Sequence, residues 1–81
     1  MTNEEMKNRY SELINQRKDF YPEVELSNSE KVANDEERQH LLHELDMQGF
    51  DVLRDTDGTH ILVRNEDYAT ERNRILSEGS I

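Results

Sequence analysis

Phe50-Asp51-Val52-Leu53-Arg54 and His60-Ile61-Leu62-Val63-Arg64, joined by Asp55-Thr56-Asp57-Gly58-Thr59, decide how this chain reads. Both arms are rich in β-branched and large apolar residues. The Asp-Gly pair between them marks a β-hairpin, because glycine accepts positive φ without a steric cost. A two-residue Asp57-Gly58 loop sets Val52 opposite Val63, Leu53 opposite Leu62 and Asp51 opposite Arg64. Phe50, Val52, Ile61 and Val63 then share one face, and Leu53 and Leu62 the other. A longer, bulged loop would shift every one of these pairs. On the two-residue register Leu53 and Leu62 form a candidate apolar contact surface.

Helical patterns flank the hairpin. Upstream, Leu41, Leu42 and Leu45, with Met47 beside them, run at helical spacing to Gly49, which fits the left-handed residue that ends a helix. Two starts compete for this element. Ser27 with Glu30 is one capping box, and Asn34 with Glu37 is another plausible cap, so residues 28–48 read as one helix or as two. Near the N-terminus Thr2 and Glu5 form a further capping box. Met6, Tyr10, Leu13, Ile14 and Arg17 then mark a helix at about 3–19, stopped by Pro22. Val24 and Leu26 alternate with acids, as a short edge strand would. Downstream, Asn65 caps a last helix, with Tyr68, Arg72, Ile75 and Leu76 inward and Gly79 at its end. The order predicts a small α+β single domain over residues 1–81 with a thin core of about 15 apolar side chains.

The chain has 81 residues, 32% hydrophobic and 36% charged, with ten bases against nineteen acids and a net charge of −9. That excess is localised. Residues 1–18 carry +1 and residues 58–81 carry −1, while residues 19–57 oppose twelve acids with only Lys31, Arg38 and Arg54 and carry the whole −9. Such a balance repels phosphate backbones and argues against ordinary DNA or RNA binding. There is no cysteine, hence no disulfide, thiol nucleophile or thiolate metal site. No apolar run is long enough to span a membrane, and the first ten residues lack the apolar core of a secretory signal. A cytoplasmic location follows as the expectation, in a host cell if the gene is carried by a phage.

Local motifs have bland explanations. Asp55-x-Asp57-Gly58 resembles part of a calcium loop, but the matching first and twelfth positions are Leu53 and Arg64, which supply no carboxylate. His40 and Glu44 share a helix face, yet a zinc site needs three or four ligands and only His43 and His60 are left to add. Neither a metal nor any other cofactor is expected. Phosphate loops and nucleophile elbows are absent, and abundant carboxylates in an acidic chain are not evidence of acid–base catalysis. An enzyme is the less favoured class.

Arg38 to Arg64, with Leu41-Leu42-x-x-Leu45, Gly49-Phe50 and the hairpin, resembles the helix-plus-wing half of winged-helix domains. That resemblance implies a recognition helix bearing Asp35, Glu36, Glu37, Glu44 and Asp46, a surface hostile to DNA. The same stretch is similar to the helix and hairpin of HicA-type RNA-cleaving toxins, on Leu41-Leu42, Gly49-Phe50, Arg54 and Gly58-Thr59-His60. This second resemblance implies a catalytic role for His60. The chain departs from it in having Thr59 where the family has serine, in lacking room for a third strand, and in being acidic.

The reading that best joins charge and size is a small acidic interaction module. Its acidic surface, drawn from Asp35, Glu36, Glu37, Glu44, Asp46, Asp51, Asp55 and Asp57, is expected to dock on a basic surface of another protein. In its most specific form it mimics nucleic acid and inhibits a nucleic-acid-handling protein. In size and charge it is similar to phage and mobile-element inhibitors, including anti-restriction and anti-CRISPR proteins. A HicA-like or winged-helix-derived domain and a non-enzymatic regulatory adaptor are the alternatives. No direct nucleic-acid or membrane partner is expected, and a homodimer is compatible with the pattern.

Overall fold

A computed structural model describes residues 1–17 and 26–79 of the chain. The element order is α1 (Asn3–Asn15), α2 (Asn28–Met47), β1 (Phe50–Arg54), β2 (His60–Arg64), a 3-10 turn (Asn65–Asp67) and α3 (Tyr68–Gly79). The fold is a small α+β arrangement of three helices with one antiparallel hairpin. The edge strand expected around Val24 lies outside the described residues.

Both predicted capping boxes form. Thr2 and Glu5, and likewise Ser27 and Glu30, exchange side-chain and backbone hydrogen bonds of 3.1–3.2 Å. The Ser27 box settles the competition upstream: α2 is one unbroken helix of 20 residues. Asn34 therefore caps nothing. It is buried inside α2, where its amide nitrogen donates to the Leu13 carbonyl at 2.8 Å and its oxygen accepts from Arg38 Nε at 2.7 Å. Leu13 lies in the last turn of α1, beyond the reach of the helix's regular i→i+4 bonds, so Asn34 ties that helix end to α2. Helix α1 stops at Asn15 rather than near residue 19. Its chain tightens there into i→i+3 bonds from Gln16 to Leu13 and from Arg17 to Ile14.

The hairpin is present over the expected residues, but in the other register. Phe50 pairs with Arg64, Asp51 with Val63, Val52 with Leu62, Leu53 with Ile61 and Arg54 with His60. The cause is a three-residue loop, Thr56-Asp57-Gly58, closed by Asp55 N–H donating to Thr59 O at 2.7 Å. Gly58 takes a φ of +89° one position later than a two-residue turn requires, so the pairing slips by one residue. Leu53 and Leu62 consequently lie on opposite faces and form no joint apolar surface. Phe50, Val52 and Leu62 pack on the core of Met6, Leu13, Leu41 and Leu45, with Tyr10 beside them. Asp51, Leu53, Ile61 and Val63 point the other way.

Six hydrophobic side chains among the described residues are buried: Met6, Leu13, Ile14, Leu41, Leu45 and Val63. Helix α3 buries none of its own residues and rests against β2, and Leu76, expected inward, is 55% exposed. Met47 is also exposed, since it projects from the α2 flank opposite Leu41 and Leu45. Asn65, expected as the α3 cap, instead belongs to the 3-10 turn and clamps the two ends of the hairpin. Its N–H donates to Gly49 O at 3.0 Å and its side-chain amide to Asp46 Oδ1 at 3.2 Å.

Candidate functional site

Consecutive helical residues project about 100° apart, so Asp35, Glu36 and Glu37 cannot share one face of α2. Glu37 turns toward α1, where Arg9 grips it in a two-pronged pair of 2.6 and 3.0 Å that holds its carboxyl below the usual range. Asp35 turns to the other flank and accepts from Arg17 at 2.9 Å and from Arg38. Glu36 faces outward, exposed, with no ion pair among the described residues. Half-buried Glu44 shares the Glu37 flank and Asp46 the Asp35 flank. The expected acidic surface of α2 is thus split around the rod.

The carboxylates of the hairpin tip serve the loop. Asp57 accepts from the Thr59 backbone at 3.0 Å and from its hydroxyl at 2.6 Å, which holds its carboxyl below the usual range. Asp55 accepts from the Thr56 backbone at 2.7 Å and lies 4.0 Å from the Arg74 guanidinium.

At the opposite end of the hairpin the carboxylates are not neutralised in this way. Half-buried Asp51 has its carboxyl pushed up, first by burial and then by the negative charge of Asp46. Among the described residues the Asp46 carboxylate accepts only from Asn65, a neutral partner. Glu66 and Asp67 follow in the 3-10 turn, and Arg64 stands 3.6 Å from Glu66 with both side chains largely exposed. Gln48, Gly49, Phe50, Arg64, Asn65 and Glu66 line an open depression at this end. The charge of Asp46 thus reaches Asp51, and the 3-10 turn adds Glu66 and Asp67, which the sequence did not single out. Asn65, which reads locally as an ordinary helix cap, ties Asp46 to the turn that carries Glu66 and Asp67.

His60 begins β2 and faces α1. Its Nδ1 lies 2.9 Å from Ser11 Oγ, and its ring meets Tyr10 edge-on at a centroid distance of 5.5 Å. Burial, then the positive charges of Arg54 and Lys7, hold its pKa below the ordinary value. His40 and His43 are exposed on α2. Among the described residues no group of three His, Asp or Glu side chains is placed to hold a metal ion. No described helix is long and apolar enough to cross a membrane.

No known protein family, curated protein or solved structure matches the chain. The winged-helix and HicA resemblances rest on the quoted residues, and the sheet has two strands among the described residues.

Proposed function

We propose that this protein is a small acidic interaction module that docks on a basic surface of a nucleic-acid-handling protein, as an inhibitor or nucleic-acid mimic. The observation that carries the reading is the Asp46–Asp51 pair. Two carboxylates held close enough to repel each other, one of them half-buried, cost the free protein stability, and an arginine or lysine from a partner relieves that cost. Glu66 and Asp67 on the adjacent turn extend the negative surface, and Glu36 and Glu44 add to the long-range field. A net charge of −9 gives the association steering and a steep salt dependence. An inhibitor of phage or mobile-element type, acting in the cytoplasm of a host cell, fits this size and charge.

The test is affinity capture from cell lysate at low salt, followed by elution with short duplex DNA. The reading expects protein partners that duplex DNA displaces, and a large loss of capture when Asp46, Asp51 and Glu66 are together replaced by Asn, Asn and Gln. Capture unchanged by that triple replacement contradicts it. Ribonuclease activity that disappears in His60→Ala replaces it with the HicA-like reading.

A further inference from the structure

We infer that the cleft between α1 and the hairpin tip, walled by Lys7, Ser11 and His60 with Arg54 beside Gly58, is a binding site for a small phosphate-bearing molecule. The inference is independent of the acidic end, which lies at the other end of the hairpin.

Polar groups from four separate places converge on this cleft. Lys7, Asn8, Ser11 and Asn15 come from successive turns of α1, and Asp57, Gly58, Thr59 and His60 from the loop and the start of β2. Arg54 pairs directly across from His60, and its guanidinium reaches to within 3.7 Å of where a Cβ on Gly58 would stand. In a chain with nineteen acids, Arg54 makes no ion pair among the described residues, although Asp55 and Asp57 are close in sequence. Those two carboxylates are committed to Arg74 and to Thr56 and Thr59. A guanidinium fork without an ion pair among the described residues suits a phosphoryl group, which can take two parallel N–H bonds.

The Ser11–His60 contact supplies a further donor whichever way its proton lies. If Ser11 donates to Nδ1, the neutral imidazole carries its hydrogen on Nε2. If Nδ1 donates to Ser11 Oγ, the serine hydroxyl keeps its own hydrogen. Lys7 is shared with Glu4, an i,i+3 pair of which Glu4 is the exposed member, so its charge still contributes to the local field. The two cations Lys7 and Arg54 are near enough to His60 to disfavour its protonation, and the carboxylate among the cleft's lining residues, Asp57, is held by the Thr59 backbone and hydroxyl. A small anion senses that local field. A long polyanion meets the acidic remainder of the chain as well.

The experiment is an amide NMR titration with inorganic phosphate and, separately, with adenosine 5′-monophosphate, at ionic strength held constant with sodium chloride. Saturable shifts confined to Lys7, Ser11, Gly58, Thr59 and His60 support the site. Saturation by both probes assigns the phosphoryl group as the recognised element, and saturation by the monophosphate alone assigns an organic carrier. Arg54→Gln should weaken binding about tenfold, as loss of a charge-assisted contact does. Arg72→Gln, on exposed α3, should change it less than about twofold, as a remote screened charge does. Unchanged shifts at Val52 and Val63 report that the hairpin is intact, and Lys7→Gln repeats the test from the other wall. Failure of both probes to saturate, or equal losses in Arg54→Gln and Arg72→Gln, overturns the assignment.

Discussion

Helices α2 and α3 follow the same design on paper, an apolar stripe on a charged rod, and the structure treats them oppositely. Helix α2 inserts Leu41 and Leu45 into the core, with Leu45 fully buried, and is held to α1 by Asn34 and by the Arg9–Glu37 pair. Helix α3 buries nothing and leaves Leu76 more than half exposed. Its ionic contacts are mostly internal, Arg74 with Glu71 and Glu78. Two-sided enclosure makes the difference: α2 packs against both α1 and β1, whereas α3 rests against β2 and leaves most of its own surface in solvent. Apolar spacing identifies a helix, and its neighbours decide how much it stabilises.

Leu45→Ala should produce the largest effect, about 3 kcal/mol in urea unfolding, since it deletes a fully enclosed side chain. Leu76→Ala should cost less than about 0.5 kcal/mol. Similar losses at the two positions would break the contrast between the helices. Asn34→Ala comes next, at about 1–2 kcal/mol, because it leaves the Leu13 carbonyl without this buried donor. Replacing Asn73 on exposed α3 by Ala should be nearly silent in the same unfolding measurement.

A smaller effect belongs to His60 at the α1–hairpin contact. Its folded pKa lies below the unfolded value, so the unfolded chain takes up the proton first as pH falls. The stability it contributes is complete above about pH 6.5 and declines below that value. The melting temperature should therefore drop between pH 7 and 5.5, and His60→Gln should flatten that part of the profile. An unchanged slope in the variant would detach His60 from the packing of α1 on β2.

Elements with a local signature were legible in the sequence. Capping boxes at Thr2 and Ser27, the left-handed Gly49 and the hairpin arms all depend on residues within a few positions of one another. What was not legible depends on long-range geometry. Asn34 and Asn65 look like helix caps until their partners Leu13 and Asp46, 21 and 19 residues away, come into place. The hairpin register turned on whether Gly58 is the second or the third loop residue, a difference that composition does not encode. The acidic residues of α2 were legible as charge but not as a surface, because burial against α1 consumed Glu37 and the arginines Arg17 and Arg38 consumed Asp35.

The most direct test of the functional account is the pKa of the Asp51 carboxyl, followed by carbon NMR as pH is varied. The account predicts a value above that of an ordinary aspartate, a fall toward the ordinary value in Asp46→Asn, and a comparable fall when a short arginine-rich peptide is added. An ordinary pKa in the free protein, indifferent to both Asp46→Asn and the peptide, would contradict it.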